Sequence, residues 1–541
     1  TKTGLTLANG ITYFISVRAT DSVGNISTTA TSDGITVDTD VPVISSVLEG
    51  AASGDDVDYQ NYSDSLTISW TGSDAASGIS VYEYALGTTS GGDETINWAS
   101  VGTSTSDTLT GLSLTDNSTY YLSIRATDAA GNVSAVSTAD GITIDLTAPS
   151  GSTVSDGTGD DITYTGSDTT LSAVWAAFTE TVSGIAKYEY AIGTSSGGTD
   201  IVTWTSNSTD TTVTKTGLSL TSGSTYYVSV RATDNAGNES TTVTSDGVIV
   251  DTAAPVAGSV IDGTVNDIDW DNSTTTLIAT WSGFSDNLSG IQKFEYAIGT
   301  TSGGTDVVAW MDNSTDTTIT NTDLTLVNGN IYFVSIRSTD NVDNVSATVT
   351  SDGITVDTDV PVISSVAEGA ASGNDIDYQN YTDSLIISWS GSDAASGITT
   401  YEYALGTTSG GTEIIDWVSN GTATSDTLTG LNLTEGSTYY LSARGTDIAG
   451  NISDVLSGDG ITIDLTAPVG TNVNDGTGDD ITYTGSESTM SANWPAFTES
   501  TSGISKYEVS IGTFSNGTDV MDWTDNGTDT TITSTGLSLD N

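Results

Sequence analysis

The stretch Tyr120-Tyr121-Leu122-Ser123-Ile124-Arg125-Ala126-Thr127-Asp128-Ala129-Ala130-Gly131-Asn132 decides the fold. Tyr120, Leu122, Ile124 and Ala126 alternate with Tyr121, Ser123, Arg125 and Thr127. A period of two puts the first set on one face of a β-strand and the second on the other. Asp-x-x-Gly-Asn then ends the strand with residues that suit a tight turn. The same text returns at Tyr226, Val228, Val230, Ala232 and Asp234. Working outward, residues 66–70, 81–86, 108–109 and 141–144 read as further strands, with Gly, Ser, Asp and Asn between them. No 3.6-residue apolar period occurs, so the expectation is all-β with essentially no helix.

The strand belongs to a repeat. Thr-(Gly/Asp)-Leu-x-Leu recurs with its second residue at Gly4, Gly111, Gly217, Asp323, Gly430 and Gly536, so the module is about 106 residues long. A longer period lies over it: residues 41–79 and 360–398 agree at 33 of 39 positions. Three module types, A, B and C, therefore follow one another. Residues 1–40 read as the C-terminal half of a C module, 41–147 as A, 148–253 as B, 254–359 as C, 360–466 as A again and 467–541 as the N-terminal half of a B module. Pro42, Pro149, Pro255, Pro361 and Pro468 share one repeat position and mark short linkers. The half modules have two readings. The simpler is an excerpt of a longer array; the sharper is that halves of neighbouring copies complete each other, head to tail, in a fibre.

Composition removes most chemistry. The chain of 541 residues has no His and no Cys, which excludes a Ser-His-Asp triad, a thiolate nucleophile and the usual zinc ligands. Its acids also recur at turns in every module, so no single site stands apart as an active site would; the chain reads as a non-enzyme. With 70 Asp+Glu against 10 Lys+Arg and a formal charge of -60, phosphate backbones are repelled, which argues against nucleic acid. No apolar run reaches membrane-span length, so no membrane insertion is expected in this segment.

About seven short strands per module, with turns every 8 to 15 residues, is a β-sandwich pattern. The early Trp of each module (Trp70, Trp175, Trp281, Trp389, Trp494), the Leu-x5-Tyr pairs Leu114 with Tyr120 and Leu220 with Tyr226, and the Tyr-Tyr-x-Ser-x-Arg-Ala-Thr-Asp run resemble a fibronectin type III domain. The resemblance implies an Ig-like sandwich in which Leu-x5-Tyr supplies a tyrosine corner. The linker text Asp-Leu-Thr-Ala-Pro-Ser (145–150), with Ala-Thr-Asp-Asn-Ala-Gly-Asn (232–238), is similar to the bacterial Ig-like repeats of giant surface adhesins. That likeness implies an extracellular or cell-surface stalk or filament, often stiffened by calcium where modules meet.

If the sandwich runs as in type III domains, the linker, the loop after the early Trp and the Asp-x-x-Gly-Asn loop lie at one end. The first A module then gathers Asp38, Asp40, Asp74, Asp128 and Asn132. The B module gathers Asp145, Glu180, Asp234 and Asn238; the C module gathers Asp251, Asp286, Asp340 and Asn344. The second A module gathers Asp357, Asp359, Asp393, Asp447 and Asn451. Oxygen ligands in turns suit Ca²⁺, which takes six to eight of them, and unneutralised they repel. The alternative is that they are solvated turn residues. Asp343 departs from the pattern, standing where the other copies have Gly. A second acidic set, Asp56, Asp161, Asp267, Asp375 and Asp480, alternates with apolar residues and reads as the solvated face of a strand, with the opening of a calcium loop as the alternative.

Each module carries another Trp (Trp98, Trp204, Trp310, Trp417, Trp523). It reads as cover for a sheet edge; exposed, it would stack on sugar rings, which makes surface glycans the alternative partners. Arg125, Arg231, Arg337 and Arg444 stand three residues before an Asp and read as its local charge partners.

Overall fold

The structure is a computed structural model that describes residues 1–50, 56–369 and 375–539. Among these the chain forms strands and no helix. They fall into two compact units. One comprises Thr1–Ala254, Asp286–Gly290 and Asp340–Asn344; the other comprises Pro255–Ser285, Ile291–Thr339 and Val345–Asn541.

The first A module shows the plan. Strands Val43–Glu49, Ser65–Ser73 and Ser106–Thr110 make one antiparallel sheet, with Ser65–Ser73 in the middle. The facing sheet runs Tyr59–Gln60, Ile142–Ile144, Ser118–Asp128, Ile79–Gly87, Ile96–Gly102. This layout of three strands against five is the fibronectin type III-like, Ig-like sandwich that the repeat resembles. The modules of types B and C and the second A module repeat both sheets.

Alternation builds the core as expected. Tyr120, Leu122, Ile124 and Ala126 are buried, as are Tyr226, Val228, Val230 and Ala232. Each early Trp packs edge-on or tilted against an aromatic of the facing sheet, Trp70 on Tyr82 at 5.9 Å and Trp175 on Tyr188 at 5.8 Å between centroids. Burying each such side chain contributes about 1.5–3 kcal/mol. The tyrosine corner is present five times over: the hydroxyls of Tyr13, Tyr120, Tyr226, Tyr332 and Tyr439 each accept a backbone N–H five residues upstream at 2.8–2.9 Å.

Two strands depart from the seven-strand expectation, because each is broken in two. The opening strand leaves the first sheet at Glu49 and the chain joins the second as Tyr59–Gln60, parallel to Ile142–Ile144. The closing strand pairs with Ser118–Asp128 through Ser137–Thr138 and again through Ile142–Ile144. Gly141 lies between the two pieces at φ 103°, where a Cβ would stand 2.7 Å from the Tyr121 ring. That break leaves Leu122 N without a partner in the ladder, and the buried Glu49 carboxylate accepts it at 3.2 Å. Val228 N and Val334 N in the modules of types B and C instead donate to the hydroxyls of Ser245 and Ser351, each at 3.0 Å.

The Asp-x-x-Gly-Asn turn needs a left-handed residue at its fourth position. Gly131, Gly237 and Gly450 take φ of 93°, 97° and 96° there, and Asp343 is held at 70°. Asp343→Gly is therefore expected to stabilise the C module by about 1 kcal/mol, read as a raised urea midpoint. Tyr226→Phe strips the acceptor from Thr221 N and is expected to cost about 1–3 kcal/mol in the module carrying it, with the other transitions unmoved.

Candidate metal centres

The linker aspartate is placed by the ladder it ends. Asp145 N donates to Gln60 O, continuing the parallel pairing of Ile142–Ile144, so the side chain emerges fully buried. Asp251 and Asp357 are buried likewise. The loop after the early Trp is wound around its own acid: Asp74 Oδ2 accepts the N–H groups of Ala76, Ser77 and Gly78 at 3.2, 3.0 and 2.7 Å. In the Asp-x-x-Gly-Asn loop, Asp128 Oδ1 accepts from Ala130 N and Asn132 N, and Oδ2 from Asn132 Nδ2 at 2.7 Å. Burial works against the ionised form of Asp128, but the Asn132 amide and the turn N–H groups outweigh it and hold the carboxyl below the usual range.

These loops meet. One carboxylate oxygen each from Asp38, Asp74 and Asp128 lie within 4.8 Å of one another, as do those of Asp145, Glu180 and Asp234, and those of Asp251, Asp286 and Asp340. In the second A module Asp357 Oδ2 accepts Ser396 N at 3.0 Å and Asp393 Oδ1 accepts Gly397 N at 2.8 Å, so both acids hold one turn. Asp447 caps its loop through Asn451 N at 2.7 Å.

The asparagines act differently from the acids. The Nδ2 of Asn132, Asn238, Asn344 and Asn451 points at the partner aspartate and also donates to the carbonyl of the linker residue Asp38, Asp145, Asp251 or Asp357, at 2.8–3.2 Å. Each ties the linker backbone to the loop, with its amide nitrogen rather than its oxygen turned to the carboxylates. Asp40 and Asp359 donate their N–H to Asp38 and Asp357 and leave their own side chains exposed. The Asp359 carboxylate accepts from Asn328 Nδ2 at 3.0 Å, away from the loop acids.

The donor set suits a hard dication: carboxylates in turns, with Asp74 Oδ1 and Asp145 Oδ2 buried and without a hydrogen-bond partner among the described residues. Sequence reading missed the serine of each loop. The hydroxyls of Ser77, Ser183, Ser289 and Ser396 are buried and also unpartnered among those residues; the signal was the serine three places after the loop acid in every copy. It also missed Asp464 and Glu499, which occupy the linker and loop positions of the last segment. Hydrogen bonds from the Ser502 side chain and from backbone N–H groups hold Asp464 below the ordinary carboxyl range.

Two readings are corrected. The arginines do not pair with the aspartate three residues on. Arg125 lies directly opposite Glu83 and bonds it at 2.8 Å, while its guanidinium covers the Trp98 ring at 4.3 Å. Arg231, Arg337 and Arg444 do the same over Trp204, Trp310 and Trp417. A three-residue offset puts Arg and Asp on opposite faces of the strand, whereas Glu and Trp share the arginine's face. The second acidic set does not form a strand face. In the C module only Trp270–Asp271 is a strand, and Asp267 turns back to accept Asp262 N at 2.8 Å; Asp161 does so for Asp156 N at 2.7 Å.

No family model matches the chain. Among curated proteins it is similar to Exoglucanase B of Cellulomonas fimi, 32% identical over 332 residues, which is 56% of this chain and 27% of that one. It is also similar to Chitinase A1 of Niallia circulans, 33% identical over 133 residues, 25% of this chain and 17% of that one. The chain thus spans about a quarter or less of the relatives it matches. Similar solved structures include domains FN1–FN3 of chicken CNTN1 (14% identity, 58% of this chain and 99% of that one, TM-score 0.24). The fibronectin(III)-like modules of Clostridium thermocellum CbhA match at 17% identity, 38% and 94% coverage and a TM-score of 0.23. Domains A168–A170 of titin match at 12% identity, 58% and 99% coverage and a TM-score of 0.26.

Proposed function

We propose that this chain is a structural spacer of an extracellular protein, a run of fibronectin type III-like modules whose linkers are fastened by Ca²⁺. One observation carries the reading. At each of four linkers the same aspartate enters the same loop pair, its carbonyl held by the loop asparagine, and at three of them its carboxylate lies within 4.8 Å of the loop acids. A single carboxylate at a turn is ordinary; three within 4.8 Å without a Lys or Arg in the group repel unless a cation sits between them. The dication offsets that repulsion and ties linker to loops, which fixes the angle at which one sandwich follows another. The chain so read presents its neighbours with stiffness, and its partners are adjoining modules.

A second reading is favoured by the names of the two curated relatives, an exoglucanase and a chitinase: the modules belong to a glycan-acting protein and bind the glycan themselves. The stacked arginines weigh against it, because one face of four of the five sheet-edge indoles is already covered, Trp523 of the last segment being the exposed one. A spacer within such a protein needs no glycan site.

Thermal melts of the chain in EDTA, Mg²⁺ and Ca²⁺ at matched ionic strength test the first reading. A Ca²⁺-specific rise is expected, about 2.7 kcal/mol per site at a hundredfold excess over Kd; identical midpoints would overturn it. Asp145→Asn keeps the shape and the bond to Thr147 N, and should remove part of that rise while leaving the EDTA melt equal or higher. For the second reading, binding to soluble glucan or chitin that disappears in Trp204→Ala would favour a glycan-binding array. The expected result is no binding by either protein.

A further inference from the structure

Away from the linkers, each complete module buries one carboxylate that the metal centres above do not use. Asp156, Asp262 and Glu368 are fully buried and Glu49 nearly so, each ending the opening strand just before a glycine. One oxygen of each is spoken for. Asp156 Oδ2 and Asp262 Oδ2 accept Gly247 N and Gly353 N at 3.1 and 3.2 Å, and Glu368 Oε1 accepts Leu441 N at 2.9 Å. The other oxygen of these three, Asp156 Oδ1, Asp262 Oδ1 and Glu368 Oε2, is buried and has no hydrogen-bond partner among the described residues.

Two exposed acids converge on each. Asp161 and Asp246 bring oxygens within 4.8 Å of Asp156, and Asp56 and Asp140 do so at Glu49. Asp267 with Asp352, and Asp375 with Asp459, repel the charge on Asp262 and Glu368. No ion pair among the described residues involves any of these acids. Burial above all, and these neighbours after it, raise the buried carboxyls to about 7 at Glu49 and Glu368 and to about 6 at Asp156 and Asp262.

The modules reach this arrangement by two routes. Where the acid is Glu, the residue opposite in the closing strand is Ala139 or Gly458, and the carboxylate itself accepts the orphaned strand N–H. Where it is the shorter Asp, Ser245 or Ser351 stands there and its hydroxyl accepts that N–H instead. The serine hydroxyl also favours the ionised acid beside it by hydrogen bonding, which offsets part of the cost of burial.

The geometry points to a second divalent-cation site in every complete module, held by the triads Glu49/Asp56/Asp140, Asp156/Asp161/Asp246, Asp262/Asp267/Asp352 and Glu368/Asp375/Asp459, with Ca²⁺ as the ion these hard oxygens suit. It sits where the opening strand crosses between sheets and the closing strand breaks, so the ion clasps one to the other inside a single module. The remaining coordination positions fall to water.

The test is equilibrium dialysis of the whole chain against Ca²⁺ in about 0.5 M NaCl, which screens diffuse binding to the acidic surface. Each triad contains an exposed acid from the closing strand, so Asp140→Asn, Asp246→Asn, Asp352→Asn and Asp459→Asn are combined, leaving every linker acid in place. Bound Ca²⁺ is expected to fall by four ions per chain, and by one for Asp246→Asn alone. In EDTA the variants should melt at or above the parent, because a repelling charge is gone. An unchanged ion count in a folded variant would overturn the proposal. If the combined variant misfolds, Asp161→Asn alone gives the same one-ion reading. Because Asp145→Asn removes a linker ion independently, failure of one class of site is separable from failure of the other.

Discussion

Like-charge repulsion is the constraint on which the rest of this molecule is arranged. With 70 acids and 10 basic residues, the chain cannot pair its carboxylates with its own cations. It does three other things with them. Most lie in solvent. Many cap turns, where an aspartate oxygen takes two or three backbone N–H groups that a tight loop leaves free, as Asp74 and Asp128 do. The remainder are drawn into triads, where carboxylates held within 4.8 Å repel one another. Four of the five arginines are kept for the sheet face, where each joins a glutamate and an indole across three strands.

Neutral groups carry the fold and charged groups carry its connections. The core of each sandwich is aromatic and aliphatic, and even its tryptophan ring nitrogens go without partners among the described residues. Polar structure concentrates at two places: the end where a linker enters, and the flank where the two broken strands face each other. Both are discontinuities in the hydrogen-bond ladder, and both gather acids because a ladder break leaves N–H groups that a carboxylate can accept.

How much was legible follows from how far apart the interacting residues are. The alternation at 120–127 is local and sufficed for the strand; the tyrosine corner was legible because its hydroxyl bonds a backbone only five residues upstream. The loop acids were legible as repeated positions, though that Asp359 turns to Asn328 depends on a side-chain choice that spacing does not reveal. The arginine was assigned the wrong partner because its glutamate is 42 residues away in sequence and adjacent only through sheet register. Glu49 and its counterparts escaped notice because an acid before a glycine at a strand end reads as solvated. Its burial depends on the opening strand crossing between sheets, which no local pattern encodes.

The confinement of basic residues to strands between Arg125 and Arg444 bears on how that stretch withstands digestion. A protease that cuts after Lys or Arg must draw several residues around the bond into an extended, accessible conformation. From Arg125 to Arg444 every Lys and Arg lies within a strand: Arg125, Lys187, Lys215, Arg231, Lys293, Arg337 and Arg444. Cleavage there requires the sandwich to open first, so over more than three hundred residues the loops and linkers offer a trypsin-like enzyme no bond to cut.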